Sequence, residues 1–143
     1  IKAYFDRYDG VRSFLDGVIE AAREMGYVET MLGRRRYLPD LKSSNFARRS
    51  FAERTARNTP IQGTAADIIK LAMLRVEERL KRDALPARIL LQVHDELVLE
   101  ADQAAVREVG LAVKEEMERA VELAVPLVVE VKDGENWGDM KKW

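Results

Sequence analysis

Apolar residues recur at helical spacing over residues 11–25, where Val11, Phe14, Leu15, Val18, Ala22 and Met25 share one face. The spacing predicts an amphipathic helix. Gly26 is a natural stop, because glycine takes the left-handed backbone that a helix C-terminus often adopts. Tyr27–Thr30 and Arg35–Leu38 read as two short strands around Leu32-Gly33, the second ended by Pro39. Ser44 or Asn45 supplies an N-cap for a helix from Phe46 towards Asn58. Pro60 is expected to interrupt that helix, since it has no N–H and its ring crowds the preceding turn. It suits the first position of a second helix capped by Thr59. Ile61, Ala65, Ile68, Ala72, Val76 and Leu80 form that helix's apolar stripe, which runs to about Arg82, and Pro86 closes the connection.

Beyond Pro86 the period changes. Ile89–Val93 and Leu97–Leu99 are apolar runs flanking His94-Asp95-Glu96 and read as a tight β-hairpin. Val106, Val109, Val113, Met117, Ala120 and Ala124 mark a further amphipathic helix, with Glu115 and Arg119 at i,i+4. Leu127–Val131 reads as a final strand, followed by a turn at Asp133-Gly134. The expected class is α+β: a small antiparallel sheet, made of the Asp95-Glu96 hairpin and the C-terminal strand, packed on long helices.

The composition is that of an ordinary folded chain of 143 residues, 47% hydrophobic and 34% charged. No apolar run approaches the ~20 residues of a transmembrane helix, and no charged leader precedes an apolar segment. The expectation is therefore a protein without a membrane role, located in the cytoplasm. There is no Cys, which removes disulfides, thiolate zinc sites and thiol nucleophiles. The single His, His94, removes any site that needs two imidazoles.

Net charge is −1 but unevenly spread. Residues 1–82 carry 17 Lys+Arg against 11 Asp+Glu, a net of +6; residues 83–143 carry 7 against 14, a net of −7. The chain divides on this basis into a basic part of helices and a hairpin, 1–82, and a second part, 83–143, with hairpin, helix and final strand. Within the first, Arg34, Arg35, Arg36, Lys42, Arg48, Arg49, Arg54 and Arg57 face only Asp40 and Glu53. Such a cluster is either a solvated helical face or a surface for a polyanion.

Asp95 and Glu96 are adjacent carboxylates where hairpins usually place Asn-Gly or Asp-Gly. They repel one another, so the pair is either a solvated turn or a place for a cation. Mg²⁺ takes one or two carboxylates together with substrate phosphates.

The segment Gln92-Val-His-Asp-Glu-Leu-Val98 resembles motif C of family A DNA polymerases, the bacterial DNA polymerase I type. Further segments resemble that family in its order: Gly26-Tyr-Val-Glu-Thr, Gly33-Arg-Arg-Arg-Tyr-Leu-Pro39, Ala52-Glu-Arg, Asn58-Thr-Pro-Ile-Gln-Gly-Thr-Ala-Ala-Asp67 and Gly134-Glu-Asn-Trp137. The resemblance implies a palm region with part of the fingers, whose complete form is a DNA-directed DNA polymerase using two Mg²⁺ ions, primer–template DNA and a deoxynucleoside triphosphate. It implies that Asp95 binds the catalytic metals with Glu96 beside it, and that His94 lies near the primer terminus. It also implies that Arg54, Asn58 and Gln62 contact the minor groove. Arg48 and Arg49 are expected to meet phosphates. Read without the resemblance, Gln62 fits a capping box with Thr59 better than a DNA contact, and Pro60 leaves it open whether Asn58 and Gln62 share a face.

Nothing in residues 1–143 resembles motif A (Asp-Tyr-Ser-Gln-Ile-Glu) or the triphosphate-gripping fingers helix of motif B, and Ile1 falls just after the latter. The expectation is a C-terminal polymerase fragment that is inactive alone and prone to self-association through an exposed sheet edge. The alternative is a non-catalytic nucleic-acid-binding module on the same scaffold.

Overall fold

The computed structural model describes residues 2–143, and the contacts group into two compact units, one ending at Asp67 and the other spanning Ile68–Trp143. The boundary falls inside a helix, whereas the charge balance changes sign at residue 82.

In the first unit, α1 (Lys2–Arg7) precedes α2 (Asp9–Met25). Gly26 ends α2 at φ 82°, its N–H donating to the Ala22 carbonyl, so the stop predicted from glycine is present. The chain turns directly into β1 (Tyr27–Glu29), which pairs antiparallel with β2 (Arg35–Tyr37); Tyr27 opposes Tyr37 and Glu29 opposes Arg35. A short 3₁₀ turn over Pro39–Lys42 leads to α3 (Phe46–Asn58). Of the two candidate caps, Asn45 is the one used: its side chain accepts from the N–H groups of Ala47 and Arg48.

The core of this unit is Ile19 and Ala22 of α2, Val28 of β1, Leu38 and Leu41 of the 3₁₀ turn, and Ala52 and Ala56 of α3. Alanines on α3 let it lie close to α2. Val11, Phe14 and Met25, expected on the core face of α2, remain exposed.

The break expected at Pro60 does not occur. Residues Thr59–Gly63 form a π-helical turn that carries α3 straight into α4 (Thr64–Arg82). Thr59 has helical angles, φ −59° and ψ −45°, so it is no N-cap. The physical reason is room. A wider turn relieves the clash between a proline ring and the carbonyl four residues back, so a helix can continue past proline. Thr59 also turns its hydroxyl back to the Thr55 carbonyl at 2.7 Å. The capping box with Gln62 is therefore absent. The apolar stripe is divided as well: Ala72, Val76 and Leu80 are buried, while Ile61 and Ala65 are exposed.

In the second unit, β3 (Ala87–Val93) and β4 (Glu96–Ala101) form the expected hairpin. After Asp102 and a 3₁₀ turn at Gln103–Ala105 comes α5 (Val106–Glu118), shorter than the periodicity through Ala124 suggests. Val76 and Leu80 of α4 meet Val109 and Val113 of α5, and one hairpin face, with Ala87, Ile89, Leu97, Leu99 and Ala101, packs against them. The expected Glu115–Arg119 pair forms at 2.6 Å. Arg79 also reaches Glu115 and Glu116 on α5, at 3.1 and 3.2 Å. Asp83, at the end of α4, is held below the usual carboxylate range by hydrogen bonds from Arg82 and then Arg79.

The α+β class stands, but Leu127–Val131 is not a strand and no single sheet forms. Among the described residues there are three separate two-stranded ladders, the last between β5 (Lys132–Asp133) and β6 (Lys141–Lys142). The 127–131 segment keeps alternating exposure, but it meets a side chain instead of a strand: the Val129 N–H donates to the Glu118 carboxylate at 2.9 Å. No described helix is long and apolar enough to cross a membrane.

Candidate functional site

The hairpin β3–β4 sets the carboxylate pair. Its register runs from Ala87 opposite Ala101 to Val93 opposite Glu96, with a bulge between Ile89 and Leu91. Residues directly opposite share a face, so the helix-packed face carries Ala87, Ile89 and Gln92 against Ala101, Leu99 and Leu97. Leu91, Val93, Val98 and Glu96 belong to the other face. The bulge is why Leu91, which simple alternation would bury, is 50% exposed.

The loop is only His94-Asp95, and His94 has φ 54°. Positive φ at the first loop position alone is the pattern of a type II′ turn, where glycine is the usual occupant. A non-glycine residue there holds strain that the flanking ladder must support. The Gln92 side chain contributes, donating to the His94 carbonyl at 2.5 Å. Glu96 is not at the tip, as expected from sequence; it is the first residue of β4, paired with Val93.

Arg88 neutralises Glu100 across the ladder at 2.6 Å, yet among the described residues no ion pair or hydrogen bond engages the carboxylate of Asp95 or of Glu96. Both are exposed. Two exposed carboxylates with no basic side chain paired to them are hard oxygen donors of the type Mg²⁺ prefers. They are not a complete cage: among the described residues no three His, Asp or Glu groups converge on one point.

In the first unit, Arg48, Arg54, Asn58 and Gln62 are all exposed along α3 and the π turn. Continuity of the helix through Pro60 answers the question left by the sequence: Arg54, Asn58 and Gln62 lie successive turns apart on one uninterrupted helical surface. The Arg54 guanidinium stacks 6.0 Å from the Phe51 ring centroid. Arg49 differs from its neighbour. It is half-buried, donates to the Ser43 carbonyl at 2.8 Å and stacks over Phe46, so part of its donor set holds the loop before α3.

Sequence reasoning missed the residues that grip the π turn. Thr30 and Thr64 are buried, and the Met31 N–H donates to the Thr64 hydroxyl at 2.9 Å. Arg34, read as one of a solvent-facing run, donates from Nη2 to the Gly63 carbonyl at 3.1 Å and from Nε to Asp67 at 2.7 Å. A Cβ on Gly63 would stand 2.7 Å from the Thr30 methyl. The one signal available was the isolated glycine within a helical pattern, which points to close approach. Arg35 follows the solvent-facing expectation more nearly, pairing with Glu29 at 2.7 Å; that hydrogen bond raises its pKa.

The family model described as DNA polymerase family A matches residues 1–139. The chain is 53% identical to a DNA polymerase I of Geobacillus stearothermophilus and 52% identical to one of Bacillus caldotenax, in each case over 99% of its length and 16% of the relative's. It therefore spans about a sixth of the length of those relatives. Among solved structures, the POL domain of Pol1 from M. smegmatis, in complex with DNA primer-template and dNTP, is 54% identical with a TM-score of 0.84, covering 87% of this chain and 22% of the other.

Proposed function

The chain belongs to DNA polymerase family A, and from that premise we propose that it forms the carboxylate hairpin and a duplex-facing helix of a template-directed DNA polymerase. The observation that carries this reading is the Asp95-Glu96 pair, exposed and engaged by no Lys or Arg among the described residues, on a hairpin whose backbone fixes the tip. Primer–template DNA and a deoxynucleoside triphosphate are the proposed partners, supported by the M. smegmatis relative's complex with both. In a bacterial cell that duplex lies in the cytoplasm, and so does the proposed activity.

Asp95 and Glu96 fit Mg²⁺ as its protein oxygen ligands, Asp95 from the turn and Glu96 from the first position of β4. Two such ions, when bound, supply the charge that stabilises the attacking 3′-oxygen and the leaving pyrophosphate. The strained His94 backbone holds the tip so that the carboxylate need not be ordered during the reaction. His94 itself is proposed to lie near the primer terminus. Arg54, Asn58 and Gln62 offer donors to the minor groove, where acceptors occupy equivalent places in every correct pair, so geometry is checked without reading sequence. Arg48 meets phosphates. The hairpin offers two adjacent carboxylates, and among the described residues no third ligand converges with them, so residues 2–143 by themselves are expected to extend no primer.

That missing third ligand also favours a second reading, a binding module without catalysis. Primer extension by a complete protein containing this segment decides between them. Addition of nucleotides supports the polymerase reading; tight duplex binding with no extension supports the module.

Duplex binding should be strongly salt-dependent. Arg48→Ala is expected to lower the slope of log K against log salt by about 0.9, one phosphate's worth. Arg49→Ala should change it less, because that guanidinium is held by Ser43. Binding isotherms at several salt concentrations check both.

The isolated chain is also expected to self-associate through the outer edges of the β3–β4 hairpin, which pair with no further strand among the described residues. Sedimentation that stays monomeric across a wide concentration range would remove this expectation.

A further inference from the structure

The π turn that carries Gln62 is held from outside the helix. Such turns are rare and weaker than α-helical ones, so one that persists needs support. Here the support comes from the loop between β1 and β2. The Met31 N–H donates to Thr64, the Arg34 fork spans the Gly63 carbonyl and the Asp67 carboxylate, and the buried Thr30 hydroxyl accepts the Arg34 N–H at 3.1 Å. Gly63 has no side chain to keep the Thr30 methyl away. These contacts bracket Gln62 on its C-terminal side, while Pro60 fixes φ on its N-terminal side.

We infer that Arg34 is a positioning residue for duplex sensing: it does not touch DNA, and it locks the π turn so that the Gln62 side chain meets the minor-groove edge of the primer-terminal pair. The inference rests on the proposed role of Gln62. A planar guanidinium reaches two acceptors at once in fixed geometry, which a lysine ammonium does not reproduce. If Arg34 is lost, its fork no longer fixes the rotation of the turn beyond Pro60, and Gln62 swings away from its acceptor. A mispaired terminus makes that contact poorly in any case, so the loss falls on matched ends.

The test uses a complete polymerase containing this segment and single-turnover extension of matched and mismatched primers. Gln62→Ala should reduce the ratio of matched to mismatched rates by about fivefold, the size of one net hydrogen bond. Arg34→Ala should give a similar reduction with primer–template affinity and its salt slope unchanged, and Arg34→Lys should not restore it. Added to Gln62→Ala, Arg34→Ala should have no further effect on the ratio. Asp67→Asn, which keeps an acceptor oxygen but removes the charge that strengthens one arm of the fork, should reproduce the effect more weakly and covers the case in which Arg34→Ala does not fold.

Additive losses in the double variant, or a lowered salt slope with unchanged discrimination, would overturn the inference, the latter making Arg34 a phosphate contact. A Gln62→Ala protein with normal discrimination would overturn the reading of Gln62 itself. Normal discrimination in Arg34→Ala beside a defective Gln62→Ala would overturn the positioning role alone.

Discussion

Asp95→Ala, in a complete polymerase containing this segment, is expected to lower single-turnover incorporation by about 10³-fold or more while primer–template affinity stays near that of the parent. Several kcal/mol of charge stabilisation in the transition state correspond to that factor. Asp95 is exposed at a two-residue loop and makes no described contact that folding would miss. Its removal also releases no strain, because the positive φ belongs to His94. Affinity for the duplex comes instead from phosphates and groove edges met by the basic helix. Rapid-quench incorporation and fluorescence anisotropy on the same protein separate the two quantities. Near-normal rates would reduce the hairpin to a turn and end the catalytic reading.

The second large effect is on stability. Leu80→Ala is expected to cost about 2–4 kcal/mol, the usual result of emptying a buried leucine site. Leu80 is 4% exposed and packs with Val76, Val109 and Val113 beneath the hairpin face. Leu74, on the same helix, is 63% exposed; Leu74→Ala should change stability by less than about 0.5 kcal/mol. Urea midpoints compare the pair. Because Leu80 lies under the strands that hold Asp95, hydrogen exchange in β3 and β4 should quicken in Leu80→Ala and not in Leu74→Ala. Equal effects would mean that the cluster around Val76 is not the support of the hairpin.

What the sequence made legible was local and periodic. Gly26, Asn45 and the apolar runs around His94 each announce an element locally, and those elements stand where expected. Pro60 misled for a definite reason. The rule that proline breaks helices assumes an α-helical turn, and widening that turn removes the clash. Leu127–Val131 has the β-branched composition of a strand, but pairing is a property of two segments, and Glu118 takes up the Val129 N–H. Exposed Ile61 shows the limit of stripe reading, because a stripe becomes core only where something packs on it.

The candidate site divides in the same way. Asp95, Arg54, Asn58 and Gln62 are candidates because a resemblance names them; charge and spacing leave each with a bland alternative. The Thr30–Arg34 grip on Gly63 was invisible, since contacts between residues some thirty positions apart leave no periodic trace.

The π turn has a geometric consequence for the three side chains around it. On an unbroken α-helix, residues four apart gain about 40° of rotation at each step, so a row of them winds slowly round the axis. A turn closed over five residues advances fewer degrees per residue. Between Asn58 and Gln62 it therefore takes back rotation gained between Arg54 and Asn58. The row is straightened, and a straight row can lie along a groove where a winding one would lift out of it. The wide turn that accommodates Pro60 works here as a phase corrector.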